Sequence, residues 1–394
     1  MADRKATSYS KIHARFALIR GTTRQLGNSL LTASSQRRSG EKGINLVASR
    51  HRDFGQGTYA GILRRVSSSA GYRISDLYFD DNIDFTGSSK KLNDATIAVV
   101  SPGQLPFAQL MYPRAFMKQS FRTAVIFWDV DKIPARMQLG FKFLDEIWLP
   151  SKAGAESFSS QFDLPVRLFR TPVEQLEGGS QGLVRDILGI KDEFFVAYQF
   201  DFGSSAMRKN PWAAVRSYKQ AFPRENDGAI LLLKCSRAVE TSSEWLELQS
   251  MCESRRDIFL VNDQWSHEMI ASLYLDIDCY LSTHRSEGYG LTIAQALAAN
   301  KYVIATDYGA TKDFMPPEFS GRIPFTLVKV GSNPVYPADA NWAEPSTEAA
   351  AELLREAFSQ PERTRSAGIK AGEWVRAEFS LERAVQNLDS LLNR

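Results

Sequence analysis

Short β-rich runs alternate with helical stretches twice over in this chain, and that rhythm restricts its fold more than any other feature. The first series predicts strands at Ile44–Ser49, Thr96–Val100, Thr123–Phe127, Glu146–Leu149 and Val166–Phe169. A glycine turn (Gly55, Gly57) precedes a helix near Tyr59–Ala70. Thr171–Gly182, which holds Pro172 and Gly178-Gly179, breaks the rhythm and reads as a linker. The second series predicts strands at Phe194–Phe200, Ala229–Lys234, Asp257–Val261, Asp278–Ser282 and Tyr302–Thr306. Helices are expected at Pro211–Phe222, Ser243–Ser254, Ser266–Leu275 and Leu291–Ala299, and the tail from Thr347 reads as helical, broken near Pro361 and Ser380. Such alternation favours a parallel, doubly wound sheet whose ligands lie at the carboxyl ends of the strands. At about 100–200 residues per domain, 394 residues suit two domains. The expected fold class is α/β, with doubly wound domains at 43–172 and 173–394 facing a cleft and the last helix crossing back to the first.

Composition narrows the function. A chain with 43% hydrophobic and 24% charged residues is neither disordered nor coiled coil. Its fully apolar runs, as in Ala229–Leu233 and Ile258–Val261, are far shorter than a membrane span, and no apolar h-region marks a secretory signal. The cysteines (Cys235, Cys252, Cys279) are odd in number and lack metal-type spacing, which suits a reducing cytoplasm. The net charge of +3 is uneven: residues 1–42 carry +7 and the rest −4. The body is therefore not a nucleic-acid binder by charge. In the basic segment, Ile12, Phe16, Ile19, Leu26 and Leu30 fall near helical spacing between Lys11, Arg15, Arg20 and Arg24. This reads as a basic amphipathic helix, suited either to an anionic membrane or to packing on its own globule or a second subunit of a homo-oligomer.

Ser282–Gln295 carries the chemistry. A strand ends near Ser282, a loop with Gly288 and Gly290 follows, and a helix starts near Leu291. Free backbone N–H groups and the positive helix end there suit a phosphate or developing anion. Glu287 precedes the glycine turn and is a good acceptor for sugar hydroxyls. A second loop, Phe200–Pro211, contains Arg208 and Lys209 after the first strand of the second series. A third, Asp53–Thr58, holds Gly55, Gln56 and Gly57. A fourth, Phe127–Pro134, places Asp129 beside Trp128 and is followed by Asp145–Ser151. The four histidines (His13, His51, His267, His284) suggest no metal site, and Asp129-Val-Asp131 has a metal-type spacing read as coincidence.

The run Ser286-Glu-Gly-Tyr-Gly-Leu-Thr, with Gln295-Ala-Leu-Ala, Val303–Gly309 and Asp313, resembles glycosyltransferase family 4. These are retaining sugar-nucleotide enzymes with two Rossmann-like domains, the GT-B fold. The resemblance implies that Glu287 holds the donor sugar and that Gln295 stands where the family has the ribose-binding glutamate. It also implies that Lys209 and Arg208 neutralise the donor diphosphate. Ser204 stands where the family often has a further arginine. His284, Gly288, Tyr289, Gly290 and Leu291 would line the donor site. Gly55, Gln56 and Gly57 would form an acceptor or phosphate loop, and Asp129 would bind acceptor or support the structure. The Trp128 and Trp148 segments resemble a bacterial subset that builds surface polysaccharides. The implied activity is metal-independent, cofactor-free hexosyl transfer from a nucleotide diphosphate sugar to a glycan or lipid-linked glycan. The implied place is the cytoplasm, peripheral on the membrane. Gln295 and the lack of a histidine near Ser101–Pro106 leave open a catalytically silent homologue. A sugar-nucleotide epimerase of the same fold is another alternative. A nicotinamide-dependent dehydrogenase is disfavoured, because Gly55-Gln-Gly57 does not complete the dinucleotide fingerprint.

Overall fold

The structure, a computed structural model, describes residues 42–50, 55–79, 92–117, 119–173, 175–225 and 227–393. The expected helix within 1–42, together with His13, His51 and Asp53, lies outside the described residues. Two six-stranded parallel sheets organise the chain from Gly43 onward. The first is built from β1 (Gly43–Ala48), β2 (Arg73–Tyr78), β3 (Ala95–Val100), β4 (Phe121–Ile126), β5 (Glu146–Leu149) and β6 (Val166–Leu168), in the order β2-β1-β3-β4-β5-β6. The second is built from β7 (Phe194–Asp201), β8 (Ala229–Ser236), β9 (Ile258–Asn262), β10 (Cys279–Ser282), β11 (Tyr302–Thr306) and β12 (Arg322–Ile323), in the order β12-β11-β10-β7-β8-β9. An antiparallel pair, β13 (Phe325–Lys329) and β14 (Asn341–Pro345), follows. In each sheet the order reverses direction beside the first strand, which opens a crevice at the carboxyl ends.

The first sheet is covered by α1 (Gly55–Ser69), α2 (Leu105–Met111), α3 (Pro113–Met117), a 3₁₀ helix (Ala135–Phe143) and α4 (Lys152–Ser159). Around the second lie α5 (Leu183–Leu188), α6 (Ala206–Lys209), α7 (Pro211–Ala221), α8 (Ser243–Glu253), α9 (His267–Asp276), α10 (Leu291–Ala298) and α11 (Thr311–Phe314). The tail forms α12 (Thr347–Ser359), α13 (Pro361–Glu378) and α14 (Leu381–Leu392). The interruptions near Pro361 and Ser380 have local causes. Pro361 begins α13, where a missing N–H costs nothing, and the Ser380 side chain caps α14 by accepting from the Arg383 N–H.

The sequence places one feature wrongly. Gly55 and Gly57 stand in the first turn of α1, not in a loop ahead of it. Glycine is tolerated there because first-turn N–H groups have no intrahelical partner. The apolar stripe Tyr59, Ile62, Leu63 and Val66 then fixes the buried face.

The chain passes between the two sheets twice, and the passages touch. Val173 N–H donates to Phe379 O (2.9 Å), and Arg170 N–H donates to Asn387 Oδ1 of α14 (3.1 Å). Tyr72 donates to Asp389 (2.9 Å), and α14 packs on α1. Aromatic cores bind the layers: Trp148 is fully buried and stacks on Phe169 at 5.3 Å.

Candidate active site

The site is assembled by the ends of β7 and β10 and by the stretch after β4. Past β10, Gly290 caps α10 with φ 83°, a left-handed conformation that a side chain would strain. The turn leaves Glu287 just outside the helix end. Past β7, Ser205 (φ 79°) and Asn210 (φ 51°) bracket α6, the short turn carrying Arg208 and Lys209. Positive φ at residues other than glycine costs about 1–3 kcal/mol each and gathers at functional sites. This loop is clamped from below. Tyr198 donates to Lys209 O (2.6 Å), Thr283 donates to Asn210 O (2.8 Å), and Arg285 N–H donates to Arg208 O (2.7 Å).

The clamp brings both cations onto one carboxylate. Lys209 Nζ donates to Glu287 Oε1. Arg208 Nη1 lies 3.2 Å from Glu287 Oε2 and donates to Ser286 O at 2.8 Å. Arg208 is only 5% exposed, and its Nε finds no hydrogen-bond partner among the described residues. Its Nη2 donates to Ser204 O (3.2 Å), so Ser204 holds the arginine in place. Burial alone would raise the Glu287 carboxyl, but Lys209 and Arg208 overcome it and pull it down to about 2. Burial draws the Lys209 ammonium down while Glu287 opposes the fall.

Asp129 completes the cluster from the other sheet. Its Oδ1 accepts the Gly288 N–H (2.9 Å) and lies 3.3 Å from Arg208 Nη1, and its Oδ2 accepts from Tyr336 (2.7 Å). Ser286 also donates to Asp129 O. The approach favours glycine at 288, because a Cβ there would crowd Trp128 O at 3.1 Å and Asp129 Oδ1 at 3.2 Å. Asp131 accepts from Asn341 N–H and Nδ2 (2.7 and 2.6 Å). A carboxylate thus sits at the amino end of α10 against an arginine, the position where a helix end and a cation would hold a phosphate.

Other candidates fall elsewhere. His284 is fully buried. Its Nδ1 meets Ser282 Oγ and its Nε2 meets Thr311 Oγ1, both at 3.0 Å. Burial pulls it down to about 4, so it is neutral at pH 7 and its ring nitrogens are engaged within its own half. The Tyr289 ring is buried between Tyr59 and Phe314, and its hydroxyl accepts from Thr171 (2.8 Å). Its side chain therefore joins the core, and only its backbone borders the turn. Leu291 opens α10, and Gln295 stands one turn along it, half-buried, with no hydrogen bond to its amide among the described residues. Gln56, with its neighbouring glycines, opens α1. Trp128 donates to Lys132 O (2.8 Å) and packs edge-on to Tyr336, which makes it a support for the Asp129 turn.

Sequence reasoning missed Tyr336, between β13 and β14, and Asn341, the first residue of β14. It also missed Lys234, which is 4% exposed with its ammonium 5.6 Å above the Trp265 ring at the carboxyl edge of the sheet. Among the described residues, no group of His, Cys, Asp and Glu could hold a metal ion.

Residues 240–326 match the family model described as glycosyl transferases group 1. That segment contains His284, Glu287 and Gln295, whereas Arg208 and Lys209 lie outside it. Among solved structures, the chain resembles sucrose-phosphate synthase from Thermosynechococcus elongatus, with a TM-score of 0.68, 15% identity, and coverage of 90% of this chain and 98% of that one. It also resembles HepE from Anabaena, solved with UDP and glucose, with a TM-score of 0.66, 12% identity, and coverage of 90% and 100%. The fold is GT-B. TarM from S. aureus is similar at a TM-score of 0.56 and 14% identity over 76% of this chain; the match spans 55% of TarM's length. No curated protein sequence matches. A group 1 segment set in a GT-B fold supports glycosyl transfer.

Proposed function

We propose that the chain is a retaining, metal-independent glycosyltransferase of the family 4 type. It would move a hexose or deoxyhexose from a nucleotide diphosphate sugar to a glycan or lipid-linked glycan in bacterial surface polysaccharide synthesis. The observation that carries this reading is the convergence of Lys209 and Arg208 on Glu287 at the glycine turn that opens α10. When a donor binds, its diphosphate takes the place of the Asp129 carboxylate at the Gly288 N–H and Arg208. Lys209 and Arg208 then stabilise the charge that grows on the leaving diphosphate, and Glu287 positions the sugar. The acceptor oxygen attacks the anomeric carbon on the face from which the diphosphate departs. The bond from carbon to the diphosphate oxygen breaks, and the acceptor proton passes to the diphosphate. Residues 43–172 form the acceptor side and 173–394 the donor side. The enzyme works in the cytoplasm at the inner face of the membrane, where residues 1–42 add basic contacts.

A panel of UDP-, GDP-, ADP- and dTDP-sugars in thermal melts, followed by donor hydrolysis, tests the reading. One nucleotide class should stabilise the protein and be turned over, with turnover abolished in a folded Glu287→Ala variant and insensitive to excess EDTA. No stabilisation by any donor, or equal turnover by Glu287→Ala, would overturn the assignment. Loss on chelation restored by manganese would overturn metal independence. A catalytically silent homologue is the second reading, favoured by Gln295 at the expected ribose position. It predicts donor binding without turnover.

A further inference from the structure

The surface beside the acceptor side combines two features that soluble surfaces usually keep apart. Leu110, Met117, Leu139 and Phe143 are 41%, 52%, 59% and 46% exposed. They belong to α2, α3 and the 3₁₀ helix, which pack side by side. Gln109 Nε2 donates to Gly140 O (2.7 Å), and a Cβ on Gly140 would strike Leu105 at 2.9 Å. Residues 103–122 and 132–143 hold six Lys and Arg (Arg114, Lys118, Arg122, Lys132, Arg136, Lys142) and no Asp or Glu. Arg122 is engaged by Asp145 and Lys132 by Asp339, whereas Arg136 and Lys142 are exposed. Residues three apart eclipse one another on a 3₁₀ helix, so Arg136, Leu139 and Lys142 form a single ridge. The ridge starts just beyond Pro134, where the stretch carrying Asp129 ends.

This combination suits a lipid surface. Long basic side chains lie along apolar surface with their charges at the headgroups, while apolar tips enter the interface. A second copy fits poorly. A two-fold contact sets the same patch against itself, and the exposed Arg136 and Lys142 of the ridge would then face like charges.

We infer that the ridge Arg136–Leu139–Lys142, with Phe143, Leu110 and Met117 beside it, docks on an anionic lipid bilayer. Docking there holds the acceptor side of the site at the plane where lipid-linked acceptors lie. The purpose rests on the glycosyltransferase reading, but the docking itself does not and is measured without any sugar nucleotide.

The experiment uses the full chain and its Arg136→Gln/Leu139→Ser/Lys142→Gln variant. Both are sedimented with vesicles of phosphatidylcholine alone and of two parts phosphatidylcholine to one part phosphatidylglycerol. The parent should prefer the anionic vesicles, and the variant should lose at least about tenfold in partitioning despite an intact 1–42 segment. Donor hydrolysis, measured separately, should be equal in the two proteins. If it is absent from both while the vesicle difference stands, the functional reading fails and the docking surface survives. Equal partitioning of variant and parent overturns the inference. So does a concentration-dependent assembly of the parent that the variant abolishes with vesicle binding unchanged, which would mark a contact between copies. Should the triple variant melt early, Arg136→Glu/Lys142→Glu makes the same comparison without touching the apolar residues.

Discussion

Glu287 and His284 lie three residues apart, His284 buried and Glu287 nearly so, and both are held below their ordinary values, so each makes stability depend on pH in its own window. His284 falls from 6.5 to about 4. Its contribution is complete above pH 6.5 and is lost as pH falls through about 4, because the unfolded chain takes the proton first. Glu287 falls from 4.5 to about 2, so its contribution is complete above pH 4.5 and is lost on the way to pH 2. Each shift corresponds to roughly 3 kcal/mol. Thermal melts should therefore show two successive acid limbs. His284→Gln should flatten the upper limb and Glu287→Gln the lower one, and a single limb insensitive to both would contradict these burials. Lys209→Ala should raise the dissociation constant of the free nucleoside diphosphate roughly ten- to a hundredfold, the range of a charge-assisted contact. Calorimetry with the diphosphate and with the nucleoside alone separates this from general damage. At this scale the sequence is legible where the chemistry is local. Strand, glycine turn and helix follow within a dozen residues around Glu287, and α6 sits directly after β7. Tyr336 and Asn341 were not legible, because they reach Asp129 and Asp131 from about two hundred residues away.

Elements buried on both faces were the ones the pattern found. Glu146–Leu149 and Tyr302–Thr306 are fully buried runs, and their observed limits match those expected. The edge strand β2 is half-exposed with a mixed pattern, and β13 is exposed at most positions, so neither offers a continuous apolar signal. The 3₁₀ helix follows neither the helical nor the strand period. Its neighbour, the turn that presents Asp129, suggests a test at this scale. Asp129 contacts the Gly288 N–H and Arg208, so on the proposed function it would compete with a donor diphosphate. Asp129→Asn should tighten binding of the free diphosphate by roughly three- to tenfold, since the contact given up is worth about 1 kcal/mol. A weaker or unchanged constant in calorimetry would mean that Asp129 does not compete there.

Across the whole molecule, the two strand–helix series announced the paired sheets. The crossing of the last helix back to the first half, α14 on α1, was legible, whereas the return of the stretch around β13 and β14 to the first half was not. Val330, Tyr336, Ala340 and Trp342 belong to the second half by position, yet they pack into the core of the first. No helix among the described residues is long and apolar enough to cross a membrane.

The adjacency of the two passages at Val173 and Phe379 has a mechanical consequence. A body joined to another by one tether can swing in any direction, whereas two neighbouring attachments behave as the knuckles of a door. Of the motions these two attachments leave, rotation about the line between them is the least restrained. The contacts of Asp129 with Gly288 and of Asp131 with Asn341 then act as the latch. On the proposed function, a donor would enter as both release together along one arc. Dye pairs placed at different heights on the two halves should therefore report the same single relaxation time, with amplitudes that grow with distance from the Val173–Phe379 axis.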